Sequence, residues 1–341
     1  MLTGIRQMEM KEVPTPMIVN DTDVLIKMTT IGVCGSDIHY YTSGKIGSQV
    51  VKYPYPVGHE GAGIVEKVGS KVTHVKPGQR VAIEPAMSCG VCDQCKAGRP
   101  HTCRKLRFLG CPGQADGLLS EYIVMPEQCC LPLADGLSLD EAVISEPLAI
   151  GVYAVQQSIP MKGVTVGILG YGPIGMSVLL PAKAQGASRI YVSDKLDYRL
   201  NYAKRDGATM TINPDKEDIA AKIKEAEPLL LDVVFECAGQ QSAVDNALDI
   251  LKPGGRLMLI GIPEEAKYVL STDKMRHKEA TIVNVRRQND CTHKALEMME
   301  HKKFDARPMA THRFKFSDSK AAFDLVAGYN GGVMKAMIDL G

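Results

Sequence analysis

Short apolar runs broken by glycine and proline fill the first part of the chain, and a strand-and-helix rhythm fills the part that follows. Up to about residue 150, DVLIKMTTIGV (23–33), GAGIVEKVG (61–69), QRVAIEP (79–85) and SEYIVMP (120–126) read as strands separated by turns. This predicts a β-rich domain over 1–150. After GVYAVQQSIPMKG the pattern becomes VTVGILG, a helix from about Pro173, RIYVSD, a helix through YRLNYAKRDGA, then DVVFECAG, SAVDNALDIL, GRLMLIGI and ATIVNVRR. Strands alternating with helices at that rhythm predict an α/β fold with a doubly wound parallel sheet over 151–288. The remainder, 289–341, holds a helix in HKALEMMEHKKF, the strand HRFKF, another helix and the strand MKAMIDL, and is expected to return to the first domain.

A chain of 341 residues is long for one core, which agrees with a two-domain reading. Its 40 basic and 39 acidic residues are spread along the sequence, leaving no basic patch that would suggest nucleic acid. The N-terminus is charged and carries no apolar signal segment, and no stretch is apolar for long enough to span a bilayer, so a soluble, cytoplasmic protein is expected. Ten cysteines in a reducing compartment are then thiols or metal ligands.

Four of these cysteines form SCGVCDQCKAGRPHTC, where Cys89, Cys92, Cys95 and Cys103 are spaced C-x2-C-x2-C-x7-C within a lobe of 88–104. Four thiolates satisfy a tetrahedral structural zinc and leave no open position, so this site braces a loop and cannot polarise a substrate. The chemistry must lie elsewhere. GILGYGPIG carries G-x-G-x-x-G at Gly170, Gly172 and Gly175, after a strand and opening a helix, as a dinucleotide pyrophosphate requires. Asp194 closes the next strand, where a carboxylate can accept hydrogen bonds from ribose hydroxyls and repel a 2′-phosphate; NAD is favoured over NADP. Lys195 and Arg199 nearby leave some tolerance for NADP.

GVCGSDIHYY offers Cys34, Ser36, His39 and Tyr40, and VGHEGAGIVEKVGSKV offers His59 and Glu60. The pattern G-H-E-x2-G-x5-G-x2-V from Gly58 to Val72 resembles the signature of the zinc-containing medium-chain alcohol dehydrogenases, and the four-cysteine lobe is similar to theirs. CGSDIHYYTSGKIGSQVVKYPYPVGHE looks like the sorbitol (L-iditol) and xylitol dehydrogenase branch, and the likeness runs nearly the full length. It implies a GroES-like catalytic domain beside the Rossmann domain, two zinc ions per subunit, and oxidation of a polyol to a ketose. Cys34 and His59 would hold the catalytic zinc, with Glu146 of ISEPLA or Glu60 as the carboxylate. Taken singly, a buried free Cys34, a core His59 and a solvated Glu146 are the ordinary alternatives.

Ser36, two residues after the cysteine, would hand the alcohol proton onward through water or His39, a residue type suited to relay near neutral pH; the pocket and cofactor contacts come from the same resemblance. Tyr40, Phe108, Glu146, Arg287 and Gln288 would line the polyol pocket, and Ile174, Arg199 and the turn Ile260 to Ile262 would touch NAD. A homotetramer or homodimer is implied, with a strand edge near RLMLIGIPEEA as a contact. Three departures stand out: Gln288 where tyrosine is expected in animal sorbitol dehydrogenases, Pro181 where a kink is expected in the first Rossmann helix, and an opening MLTGIRQ short of the family's first strand, for which a misassigned start and a frayed edge are the two expectations. L-Threonine 3-dehydrogenase, alditol-phosphate dehydrogenase and a non-catalytic cofactor-binding protein are the rival readings; EPLAIG in place of the threonine enzymes' PxGN weakens the first.

Overall fold

The computed structural model describes residues 1–263 and 267–341. The chain divides into two compact units, Met1–Glu146 with Ala295–Gly341, and Pro147–Lys294. The first boundary falls inside the helix Leu139–Gln157, between Glu146 and its internal Pro147; the second falls inside the helix Thr292–Glu300. The pattern of apolar runs had suggested 150/151 and 288/289, because periodicity marks where elements change type and says nothing of which core half a helix joins.

The first unit is built on a seven-stranded sheet whose central strand, Asp23–Gly32, is buried at both ends. Glu60–Val68 and Tyr122–Pro126 pair with it antiparallel, and so does Lys335–Asp339 near its end. Arg80–Ile83 and Cys130–Pro132 extend the sheet on one side and Ala310–Lys315 on the other. Valine, isoleucine and methionine fill one core around Val24, Ile26, Met28, Val65 and Ile83, as the β-branched content of these runs favours. A second core gathers Leu2, Val33, Tyr40, Tyr41, Val57, Phe323 and Ile338. The unit is not purely β. The helix Gly35–Ser43 follows the central strand directly, and Ser319–Ala327 packs against it through Tyr41 and Phe323, whose rings meet edge-on at 5.5 Å.

The expected frayed N-terminal edge is overturned. Leu2–Gly4 pairs with Gln7–Met8, Leu2 is fully buried, and its backbone exchanges two 2.8 Å hydrogen bonds with Tyr55. Burying one leucine and satisfying its backbone anchors even a very short strand.

The second unit is a six-stranded parallel sheet in the order Met210–Ile212, Arg189–Ser193, Thr165–Leu169, Leu231–Glu236, Leu251–Leu259, Thr281–Asn284. This is the doubly wound order, with its reversal between Thr165–Leu169 and Leu231–Glu236. The strand Met210–Ile212 and the helices Ile219–Ala226 and Thr272–Lys278 had no counterpart among the apolar runs; three strand residues at a sheet edge are too few for a period to show. The expected exposed edge at RLMLIGIPEEA is also corrected. Leu251–Leu259 is paired on both sides and the edge strand is Thr281–Asn284, while 264–266 of that stretch lie outside the described residues. The helix Pro173–Ala184 continues through Pro181. Proline takes away the N–H that the Ser177 carbonyl would accept. Gly151 passes there so closely that a Cβ on it would sit 1.8 Å from that carbonyl oxygen.

Candidate metal and cofactor sites

Three neighbouring strands end together in the first unit. Gly32, the last residue of the central strand, stands opposite Glu60 on one side and Met337 on the other. Glu60 and Lys335 are the first residues of their strands, and Val33 donates its N–H to the Ala336 carbonyl at 3.0 Å. The glycine is a requirement of space: a Cβ at 32 would lie 2.4 Å from Glu60 Oε2. Two residues further on, Cys34 begins the helix Gly35–Ser43.

Here Cys34, His59 and Glu60 each present one donor atom within 4.8 Å of the others. Asp37, wholly buried, ties the group together. Its Oδ2 accepts the Cys34 N–H at 3.1 Å, and its Oδ1 lies 3.3 Å from His59 Nδ1. A histidine held at Nδ1 by a carboxylate offers Nε2 as ligand. Although burial works against its charge, Asp37 and the Cys34 thiol hold His59 well above the ordinary histidine range. The pocket therefore draws positive charge. Glu60 Oε1 and Glu146 Oε2 are buried without a hydrogen-bond partner. Sulfur, imidazole and carboxylate donors around orphaned oxygens fit a zinc ion, and three protein donors leave a position open for a substrate oxygen.

Of the two candidate carboxylates, Glu60 belongs to the three-donor group and Glu146 does not. Glu146 is buried close by, and desolvation pushes its carboxyl up to about 7, with His59 pulling it down and Glu60 and Glu84 adding to the rise. Phe108 packs its ring against His59, with centroids 5.4 Å apart and planes tilted by 52°. Ser36 donates to the Cys34 sulfur at 3.4 Å, and His39 lies one turn along the same helix, half-buried. Tyr40 is buried and donates to Gln49 Oε1 at 3.2 Å.

In the lobe, the sulfurs of Cys89, Cys92, Cys95 and Cys103 likewise lie within 4.8 Å of one another. Cys103 Sγ accepts the N–H groups of Cys89 and Lys105, each at 3.3 Å, and Arg104 clasps Asp93 across the lobe. Backbone N–H groups of Cys95 and Arg104 lower the Cys92 thiol to about 6, the thiolate state a metal needs.

The second unit holds the glycine loop. Gly170 adopts φ +96°, and a Cβ on it would meet Ala238 N at 2.8 Å; one on Gly175 would lie 2.1 Å from the Gly170 carbonyl oxygen. The nearest atoms to a Cβ on Gly172 would be those of the Arg199 guanidinium, at 3.5 to 3.8 Å. Tight turn, open face and close helix packing are thus divided among the three glycines as a pyrophosphate site demands. The helix opens with Pro173 at its first turn and no side-chain cap, which leaves its N–H groups for an anion. Asp194 is buried, accepts from Tyr171 N at 2.7 Å and Leu196 N at 2.9 Å, and lies 3.6 Å from Arg199. It is thus a turn residue as well as a carboxylate beside the loop. Ile174 and Ile260 are half-buried, and Ile262 is exposed. Arg287 takes a left-handed φ of +52°, and Gln288 is buried with its Oε1 accepting Cys291 N at 2.7 Å.

Residues 20–135 match the alcohol dehydrogenase GroES-like domain and residues 173–301 the zinc-binding dehydrogenase domain. Sorbitol dehydrogenase of Bacillus subtilis (strain 168) is 35% identical over 98% of this chain and 94% of its own length. The chain belongs to the zinc-dependent medium-chain alcohol dehydrogenase family. Another member of this family, L-idonate 5-dehydrogenase of Vitis vinifera, is 35% identical over 99% of this chain and 93% of its own. Among solved structures, an Escherichia coli oxidoreductase/dehydrogenase of unknown specificity superposes with a TM-score of 0.93 at 33% identity, covering 99% of this chain and 97% of that one. Among the described residues no helix is long and apolar enough to cross a membrane.

Two residues of the metal pocket were missed from sequence. Asp37 had a signal, since C-G-S-D reads as a capping box with cysteine in the serine position. Lys335 had a fainter one: a lone lysine inside VMKAMIDL, a run otherwise apolar up to Asp339.

Proposed function

We propose that this chain is a zinc- and NAD-dependent polyol dehydrogenase, taking hydride from a secondary carbinol carbon of an open-chain alditol and giving the ketose. The reading is supported by relatives named sorbitol dehydrogenase, and one observation carries it: Cys34, His59 and Glu60 gather three protein donors within 4.8 Å of one another, a set that keeps one position open for a substrate oxygen. When bound, zinc supplies a Lewis acid for the alcohol oxygen and NAD supplies the hydride acceptor.

The chain's own residues do the rest. Asp37 fixes the tautomer and ring plane of His59 through Nδ1. Phe108 covers the imidazole and keeps water from that face. The Ser36 hydroxyl, beside the Cys34 sulfur, takes the alcohol proton and His39, three residues along the helix, passes it to solvent. Glu146, Tyr40, Arg287 and Gln288 are assigned to the polyol. Gly170, Gly172 and Gly175 cradle the pyrophosphate, Ile174, Arg199, Ile260 and Ile262 flank NAD, and Asp194 accepts from the adenosine ribose while its charge disfavours a 2′-phosphate. Cys89, Cys92, Cys95 and Cys103 hold the second, structural zinc. A small-molecule polyol is the partner in this reading, in a cytoplasmic homotetramer or homodimer.

The test is NADH production across alditols, L-idonate, L-threonine and alditol phosphates, with the product identified. Open-chain alditols are expected to give the highest kcat/KM and a ketose. A preference for L-threonine or for phosphorylated alditols overturns the assignment.

A further inference from the structure

We propose that Lys335 is a positioning residue that holds back one oxygen of Glu60, so that the carboxylate gives a bound metal a single, loosely held oxygen and leaves its substrate position open. Lys335 Nζ donates to Glu60 Oε2 at 2.6 Å and to the Val33 carbonyl at 3.4 Å. The two side chains are 1% and 0% exposed. A carboxylate at 2.6 Å is the counter-charge that a buried ammonium needs. Glu60 Oε1, by contrast, has no hydrogen-bond partner. The two oxygens of one carboxylate are thus divided, one accepting from the lysine and one without a hydrogen-bond partner, in a residue that shares a donor group with Cys34 and His59.

Stability does not explain this arrangement. A buried ion pair gains little over a well-packed apolar pair, because both charges must be taken out of water. Gly32 leaves the carboxylate its place beside the lysine, since a Cβ there would lie 2.4 Å from Glu60 Oε2 and 2.9 Å from Val143 Cγ1. What the ammonium does provide is charge and direction. Placed 2.6 Å from Glu60 Oε2, it offsets one negative charge of a ligand set that would otherwise bind a divalent cation more tightly and with both carboxylate oxygens.

The experiment exchanges cobalt(II) into the Cys34–His59–Glu60 site, zinc being kept in the lobe, since cobalt's visible bands report coordination number. Lys335→Met is expected to trade the intense four-coordinate bands for weaker five-coordinate ones, and to slow metal release to a competing chelator at least about tenfold as the offsetting charge is lost. Polyol turnover should fall about a hundredfold because the open position is filled. Lys335→Arg, which keeps a cation on the same carboxylate, should stay close to the parent in bands and release rate. Unchanged bands in Lys335→Met, or a Lys335→Arg variant altered as much as Lys335→Met, overturns the proposal.

If Lys335→Met does not fold, Lys335→Met/Glu60→Gln removes both charges and takes its place: release about tenfold faster than the parent supports the assignment of Glu60 to the metal side, and release at the parental rate overturns it. The inference rests on the dehydrogenase reading only through turnover. A parent chain that binds cobalt and oxidises no alditol sinks that reading while the bands and release rates still decide the role of Lys335.

Discussion

Asp37→Asn tests the metal pocket with the least change in shape. In the parent, Oδ2 of the fully buried Asp37 accepts the Cys34 N–H at 3.1 Å and Oδ1 faces the buried His59 at Nδ1, 3.3 Å away. Asparagine can keep only one of these. If its oxygen continues to accept from Cys34, its NH2 faces Nδ1, which must then be the unprotonated nitrogen. The proton moves to Nε2, and the nitrogen offered to the metal becomes a donor. Losing an outer partner of this kind costs about 10- to 100-fold in metal affinity, which corresponds to about 1.4 to 2.8 kcal/mol. The fold should suffer less, because the amide preserves both volume and the helix-start hydrogen bond. The assay is zinc retained per folded chain after dialysis against graded chelator, with thermal unfolding alongside. Asp37→Ala is the control: it leaves Nδ1 with no partner that dictates a tautomer, so it should retain more zinc per folded chain than Asp37→Asn even where it is less stable. Parental retention in Asp37→Asn, or greater zinc loss in the alanine variant, refutes the tautomer argument.

Asp194→Ala removes a carboxylate that accepts from Tyr171 N within the glycine loop, so KM for NAD should rise about tenfold and the NADP/NAD preference should shift toward NADP; an unchanged preference in steady-state kinetics would reduce Asp194 to a turn residue. Cys89→Ser opens the lobe, and metal analysis should find one zinc fewer per chain with a lowered Tm, while the folded remainder keeps its turnover. Acid sensitivity follows from Glu227, whose carboxyl is held below its usual range by Arg189. A depressed folded pKa contributes stability above the unfolded value, about 4.3, and that contribution disappears as pH falls through the folded one. Denaturant titrations of Glu227→Gln should therefore converge with the parent at low pH; parallel losses across the acid range would contradict this.

Much of the site could be read along the chain because its parts are contiguous. The lobe is a single loop whose four cysteines declare a closed metal site by spacing alone, and the glycine loop is a single strand-to-helix turn where each glycine answers a local steric demand. Cys34 and His59 were likewise visible, on the signature they share with a known family. The carboxylate was harder. In sequence Glu146 stood at the family's ligand position and Glu60 was the other candidate; Glu60 joins the donor group of Cys34 and His59 only once the strand Glu60–Val68 pairs with Asp23–Gly32 and brings it against the strand end.

What the sequence determined by itself is the type and order of the elements and the chemistry each local motif can perform, since periodicity, turn residues and ligand spacing act over a few residues. Tertiary structure decided which distant groups meet. Lys335 reaches Glu60 across 275 positions of sequence, and it does so because Lys335–Asp339 and Glu60–Val68 flank the central strand on opposite sides and both begin at its Gly32 end. Nothing local to VMKAMIDL says that its lysine will be buried. The same holds for the N-terminus, where a three-residue strand with almost no pattern of its own is fixed by its pairing to Tyr55 and by the burial of Leu2. Burial and pairing are properties of the assembled sheet, and a buried charge is tolerable only once its counter-charge has been brought to it.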